Sequence, residues 1–167
     1  QCIEGRYNLC ENYGDPSVHR HYGHTWQGAF AEYVVHGLKS VFHLPGSLTF
    51  AQGALLDPAS IALHTTRRGG VQPGDTVAVI GPGPIGLLAA AAARTMGAGR
   101  VIVVGRGGRL RKAAAMGSEV VDYTATDPVA TVRESTSGLG ADVVLDCAGA
   151  DDSFRWALAM LRNGGRA

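Results

Sequence analysis

The sequence has no stretch that would cross a bilayer: its longest apolar run, residues 85–93, is nine residues, against the roughly 20 that a spanning helix needs. Charge is scarce, at 17% of residues against an ordinary figure of about 25%. With 46% hydrophobic residues, that composition excludes an intrinsically disordered chain. Fifteen basic and 14 acidic side chains leave a net charge of +1, so no general field draws in nucleic acid or a membrane surface. No Gly-X-Y period accompanies the 24 glycines, which excludes collagen although glycine is at about twice its usual frequency. One absence is local: residues 76–118 contain no Asp or Glu, but do contain Arg94, Arg100, Arg106, Arg109, Arg111 and Lys112.

What is present divides in two. Residues 1–60 hold five of the six histidines and short β-like runs, the clearest being Ala29-Phe-Ala-Glu-Tyr-Val-Val-His36, with no readable long helix. Residues 61–167 alternate aliphatic runs with helical segments. Strands are expected at Thr76–Ile80, Val101–Val104, Glu119–Asp122 and Asp142–Cys147, and helices at Ile85–Met96, Arg109–Met116, Pro128–Ser135 and Asp152–Leu161. That alternation predicts an α/β fold with a doubly wound parallel sheet. Arg67–Gly74 reads as a polar turn into the first strand. Residues 162–167 read as the approach to a fifth strand that is then missing.

The sharpest motif is Thr76-Val-Ala-Val-Ile-Gly-Pro-Gly-Pro-Ile-Gly86 ahead of an alanine-rich helix, a G-x-G-x-x-G between a strand and a helix. Gly81 permits the tight turn, Gly83 lets backbone approach a pyrophosphate, and Gly86 lets helix and strand pack closely. Pro84 suits a first helical turn, and with Ile85 it opens the helix whose N-terminal N–H groups favour phosphate. An acid about 20 residues further on would bind the ribose 2′-OH of NAD. Gly105 and Arg106 stand there instead. Gly105 removes the carboxylate that repels a 2′-phosphate, and Arg106, with Arg109 nearby, offers a guanidinium to pair with it. NADP is therefore favoured over NAD. Ala148 and Gly149, after the fourth strand, fall where the cofactor would border the sheet. Cys147 reads as a small core residue rather than a nucleophile.

Ala54-Leu-Leu-Asp-Pro-Ala-Ser-Ile-Ala-Leu-His64, Gly74–Gly86, Gly28-Ala-Phe-Ala-Glu-Tyr33, Arg109-Leu110 and Gly138-Leu-Gly-Ala-Asp142 occur in an order and spacing that resembles the medium-chain zinc-dependent alcohol dehydrogenases. The polyol and threonine dehydrogenase branch is the nearer likeness. The resemblance implies that residues 1–60 are the rear of a GroES-like β-barrel domain carrying a remnant of a structural-zinc lobe. Residues 61–167 would be an incomplete Rossmann domain. It implies Cys2 and Cys10 as the third and fourth thiolates of a structural zinc site, with the first two upstream. Asp57 would be a catalytic-zinc ligand or near neighbour, the alternative being a turn or N-capping Asp before Pro58.

His19, His21 and His24 read as an ordered polar loop, with metal binding as the alternative, and His64 as a packed or supporting histidine. The parent enzyme would be cytoplasmic, a homodimer or homotetramer, moving hydride between a secondary alcohol or polyol and NAD(P) with zinc as Lewis acid. The chain itself, starting at Gln1 rather than Met, is expected to be truncated at both ends and not catalytically competent. Alternatives are a zinc-independent NADPH-dependent quinone or enone reductase, a non-enzymatic NADP-binding module, and a methyltransferase.

Overall fold

The structure is a computed structural model that describes residues 4, 6, 9–15, 17–19 and 21–167. It divides into two compact units, residues 1–48 and 49–167.

The described residues of the first unit are mostly turns, with a 3-10 turn at Leu38–Ser40 and an isolated bridge between Tyr22 and Trp26. Tyr22 stacks on His36 with ring centroids 4.0 Å apart, and its hydroxyl accepts the Gly37 N–H at 3.0 Å. The strand expected over 29–36 does not form, and Phe30, Tyr33 and Val35 are almost wholly exposed. β-propensity describes the fit of a side chain to a pleated, half-buried surface. Among the described residues of this unit no neighbouring strand offers one.

The second unit opens with α1 (Phe50–Gly53), where Thr49 Oγ1 accepts the Gln52 N–H at 3.2 Å and Gln52 Oε1 accepts the Thr49 N–H at 2.9 Å. α2 (Leu56–Arg68) follows, burying only Ala62 and Thr66, one turn apart. The chain then alternates β1 (Thr76–Ile80), α3 (Pro84–Thr95), β2 (Arg100–Gly105), α4 (Gly108–Ala115), β3 (Glu119–Asp122), α5 (Pro128–Ser135), β4 (Ala141–Asp146), α6 (Asp151–Met160) and β5 (Leu161–Arg166). The five strands are parallel in the order β3-β2-β1-β4-β5.

Period-2 alternation sorts the strand side chains to two faces. Val77, Val79, Val101, Val103, Val143 and Leu145 pack with Ala62, Ala89, Ala90, Ala93, Leu110 and Ala113, beneath α2, α3 and α4. Ala78, Ile80, Ile102, Val104 and Val144 pack with Val132, Ala157 and Met160, beneath α5 and α6. Each fully buried Val or Ile stabilises the sheet by about 1.5–3 kcal/mol. The alanine run of α3 has high helix propensity and short side chains, so that helix lies close to the strands.

In the second unit two elements differ from expectation. A helix, α2, runs through residue 68 where a polar turn is read, because its pair of buried side chains is too sparse to make a visible stripe. The fifth strand, expected to be missing, is present at the sheet edge. Leu161-Arg-Asn-Gly-Gly-Arg166 carries no aliphatic alternation, and its attachment is polar. Arg162 pairs with Asp142. Arg166 Nη2 meets Asp75 Oδ2 at 2.7 Å, and its Nη1 donates to the Gly70 carbonyl at 2.5 Å.

Candidate functional site: a cleft at the carboxyl ends of the strands

β1 and β4 are neighbours whose connections leave in opposite directions, which is the switch point where open α/β sheets bind ligands. The strands there run into Gly81, Arg106, Tyr123 and Cys147, and together with the start of α6 these turns enclose a cleft of about 940 Å³.

The β1–α3 turn is shaped by contacts that leave no space for side chains. Gly81 has φ +99°, and a Cβ there would stand 3.0 Å from both the N and the Cβ of Ala148. Its N–H donates to the Val104 carbonyl at 2.8 Å, tying the turn to β2. A Cβ on Gly86 would run into the Gly81 carbonyl oxygen. Gly83 differs: it caps α3 with φ −74°, and its Cβ position faces open space. The first N–H groups of a helix have no intrahelical acceptor, and Pro84 at the first position has none to offer. Ile85 and Gly86 therefore present the positive end of α3 behind Gly83.

On the β2 side, Gly105 is buried beneath Pro82 and Arg106 is exposed, its guanidinium 5.9 Å from the Tyr123 ring centroid. Tyr123 in turn meets Trp156 of α6 at 5.3 Å. Asp122 closes β3, and Thr124 donates to its Oδ1 from Oγ1 at 2.6 Å and from N at 2.9 Å. Those bonds hold the Asp122 carboxyl below the usual carboxylate range.

On the β4 side, Asp146 Oδ1 accepts the N–H groups of Ala148 (2.9 Å) and Gly149 (3.2 Å). Buried Ser153 accepts the Ala150 N–H at 3.0 Å, and its single proton lies between Asp146 Oδ2 and the Ala150 carbonyl, both at 2.7 Å. This network fixes the loop against which Gly81 is pressed. Burial, reinforced by the charge of Asp146, pushes the Cys147 thiol up to about 11. At neutral pH it is a protonated packing group rather than a nucleophile.

Gly81, Gly83, Gly105, Arg106, Arg109 and Ala148 thus line one cleft. Pro84, Ile85 and Gly86 form the first turn of α3 behind it, and Gly149 lies in the exposed β4–α6 loop with φ +63°. Asp57 is exposed in the first turn of α2, inside the helix rather than capping it, and His64 is exposed on the same helix. Cys10 is a part-buried free thiol of the first unit; Cys2 lies outside the described residues.

The rings of His19, His21 and Tyr13 sit 5.3–6.1 Å apart, with His24 5.5 Å from His21. Among the described residues no three or more His, Cys, Asp or Glu side chains converge on a point where a metal would be held. The described donors do not make up the four-ligand set of a structural zinc site. Sequence reasoning missed Pro82, Asp122, Tyr123, Asp146, Ser153 and Trp156. The Asp closing β4 just before small residues is a readable Asx-turn signal. The aromatic pair and the Pro82 contact are long-range and have none.

Residues 84–167, half of the chain, match the sequence profile described as zinc-binding dehydrogenase. A sorbitol dehydrogenase of Bacillus subtilis (strain 168) is 37% identical over 167 residues, covering 99% of this chain and 46% of its own length. The chain therefore spans about half the length of that curated relative. A candidate zinc-binding dehydrogenase from Sinorhizobium meliloti 1021, solved bound to NADP, superposes with a TM-score of 0.88 at 36% identity, covering 99% of this chain and 48% of that one. An NAD-dependent alcohol dehydrogenase superposes with a TM-score of 0.83 at 33% identity, covering 98% and 47%. By the span of the profile match, the chain belongs to the zinc-binding dehydrogenase family.

Proposed function

We propose that this chain is the dinucleotide-binding part of an NAD(P)-dependent alcohol or polyol dehydrogenase, and that NADP is its preferred cofactor. The observation that carries the reading is the combination at one strand edge. A glycine turn leads into a helix N-terminus, and the neighbouring strand ends in Gly105-Arg106 rather than an acid. In this reading Gly83 and the N–H groups of Ile85 and Gly86 bind the pyrophosphate, and the Asp146–Ser153 network holds Ala148 in place beside it. Arg106, already resting on Tyr123, forks onto the 2′-phosphate, with Arg109 adding positive potential. When bound, the nicotinamide supplies or accepts the hydride; the residues described here bind and orient it. Similar structures divide between NADP and NAD, so the preference rests on the residues at the end of β2.

One observation favours NAD instead: Asp122 stands directly beside Gly105 in the β2–β3 register, where a carboxylate would accept from a ribose hydroxyl. Other roles rest on the resemblance alone. These are residues 1–60 as the rear of a GroES-like domain ahead of a Rossmann domain over 61–167, Cys2 and Cys10 on a structural zinc, and Asp57 beside a catalytic zinc. A dimeric or tetrameric parent and a small alcohol or carbonyl substrate rest on it too. Titration of the chain with NADPH and NADH, before and after Arg106→Ala, tests the reading. NADPH is expected to bind more tightly, and Arg106→Ala to weaken NADPH alone, by about 10-fold or more for a charge-assisted bond. Equal binding of the two cofactors, unchanged by the substitution, would remove the NADP assignment.

A further inference from the structure

We propose that Pro82, a residue of the glycine turn, enforces cofactor selection by keeping position 105 free of any side chain; the inference rests on the dinucleotide reading above. Gly105 is buried at the end of β2, and its φ is not in the left-handed region, so its own backbone conformation does not demand glycine. Its neighbour does. A Cβ at position 105 would collide with Cγ and Cδ of Pro82, whereas the next atom, Leu110 Cδ2, lies at an ordinary 3.5 Å.

The obstruction is rigid. A proline ring has no rotamer that swings it aside. The turn bearing it is bonded to β2 through the Gly81 N–H and the Val104 carbonyl at 2.8 Å. It cannot retreat on the other side, where Gly81 packs against Ala148. The acid that would accept from a ribose 2′-OH and repel a 2′-phosphate belongs at the end of this strand. With Pro82 in place no Asp or Glu fits there, and the first side chain that reaches solvent is Arg106. The sequence alone offers a different reason for Gly105, clearance for the phosphate. In the structure the glycine is required by the protein before any ligand arrives.

A thermal-melting cycle on Gly105→Ala, Pro82→Ala and the double variant tests the steric lock without cofactor. Overpacking of this kind is expected to lower the Tm of Gly105→Ala by about 5 °C or more, and Pro82→Ala to recover at least half of that loss in the double variant. No loss in Gly105→Ala, or an equal loss in both backgrounds, overturns the lock. Binding then tests the consequence. In the Pro82→Ala background, adding Gly105→Asp should shift the NADPH-to-NADH affinity ratio toward NADH by about 10-fold or more. An unchanged ratio in a folded double variant overturns the selection role. If the wild-type chain binds neither dinucleotide, the proposed function fails and takes the selection role with it, while the melting cycle still decides the lock.

Discussion

Substituting alanine at Gly83 separates what the fold requires from what a ligand requires. Gly83 has φ −74° and ψ 179°, extended backbone open to any residue, and nothing lies within 4 Å of its Cβ position. Alanine there costs no contact, and the gain of about 0.4–1 kcal/mol from a less flexible unfolded chain is offset by the poorer fit of alanine at the N-cap of α3, a cost of about 0.5–1 kcal/mol. The same methyl would project into the open space beside Gly83, where the proposed reading brings the pyrophosphate. Losing one charge-assisted hydrogen bond is worth about 1.5–3 kcal/mol, or roughly 10- to 150-fold in affinity.

Gly81→Ala is the contrasting variant. Its φ of +99° and the 3.0 Å approach to Ala148 combine backbone strain of about 1–3 kcal/mol with overpacking of similar size. Thermal melts and NADPH titrations of both variants should therefore diverge: Gly83→Ala melts like wild type and binds poorly, while Gly81→Ala melts early. A Gly83→Ala protein that binds NADPH with wild-type affinity would refute the approach of ligand to this turn.

Two further outcomes follow from the titratable groups. Bonds from the Arg100 guanidinium hold the Glu119 carboxyl below its ordinary 4.5. Asp142 lies below its ordinary 3.8, burial pushing it up but the Thr76 N–H, Arg162 and Arg166 outweighing that. Both are depressed in the folded state, so their contribution is complete above the ordinary values and is lost as pH falls through the depressed ones. The Tm should be flat from neutral pH to about 5 and fall below about 4.5, and less steeply in Glu119→Gln; an identical acid limb in that variant would contradict the assignment. The Cys147 thiol, pushed up to about 11, should react with iodoacetamide at pH 7.5 far more slowly than Cys10, and a Cys147 that reacts as fast would contradict its protonated, half-buried state.

Most of the sheet was readable because its strands are buried on both faces. Val77–Ile80 and Val101–Val104 are continuous aliphatic runs, each followed directly by glycine, as expected of buried parallel strands. β5 is an edge strand whose ordering comes from Arg162 and Arg166 reaching acids 20 and 91 positions away, so its own residues carry no periodic signal. Residues 29–36 fail for the complementary reason: their β-propensity is real, but a strand forms only where another strand pairs with it.

The site was legible where chemistry is local, as in Gly81–Gly86 and Gly105-Arg106. It was illegible where two distant segments meet. Pro82 against Gly105 and Tyr123 against Trp156 depend on the strand register. Asp146 reads as part of a hydrophobic strand, and its partner Ser153 lies on the first turn of α6.

The central claim, that the carboxyl edge of this sheet is a dinucleotide site, is tested most directly by following backbone amide chemical shifts of the labelled chain during an NADPH titration. Saturating shifts confined to Gly81–Gly86, Gly105–Arg109 and Ala148–Ala150 are the expected result. No saturating shifts, or shifts at the opposite edge around Arg100, Ser137 and Arg162, would contradict it.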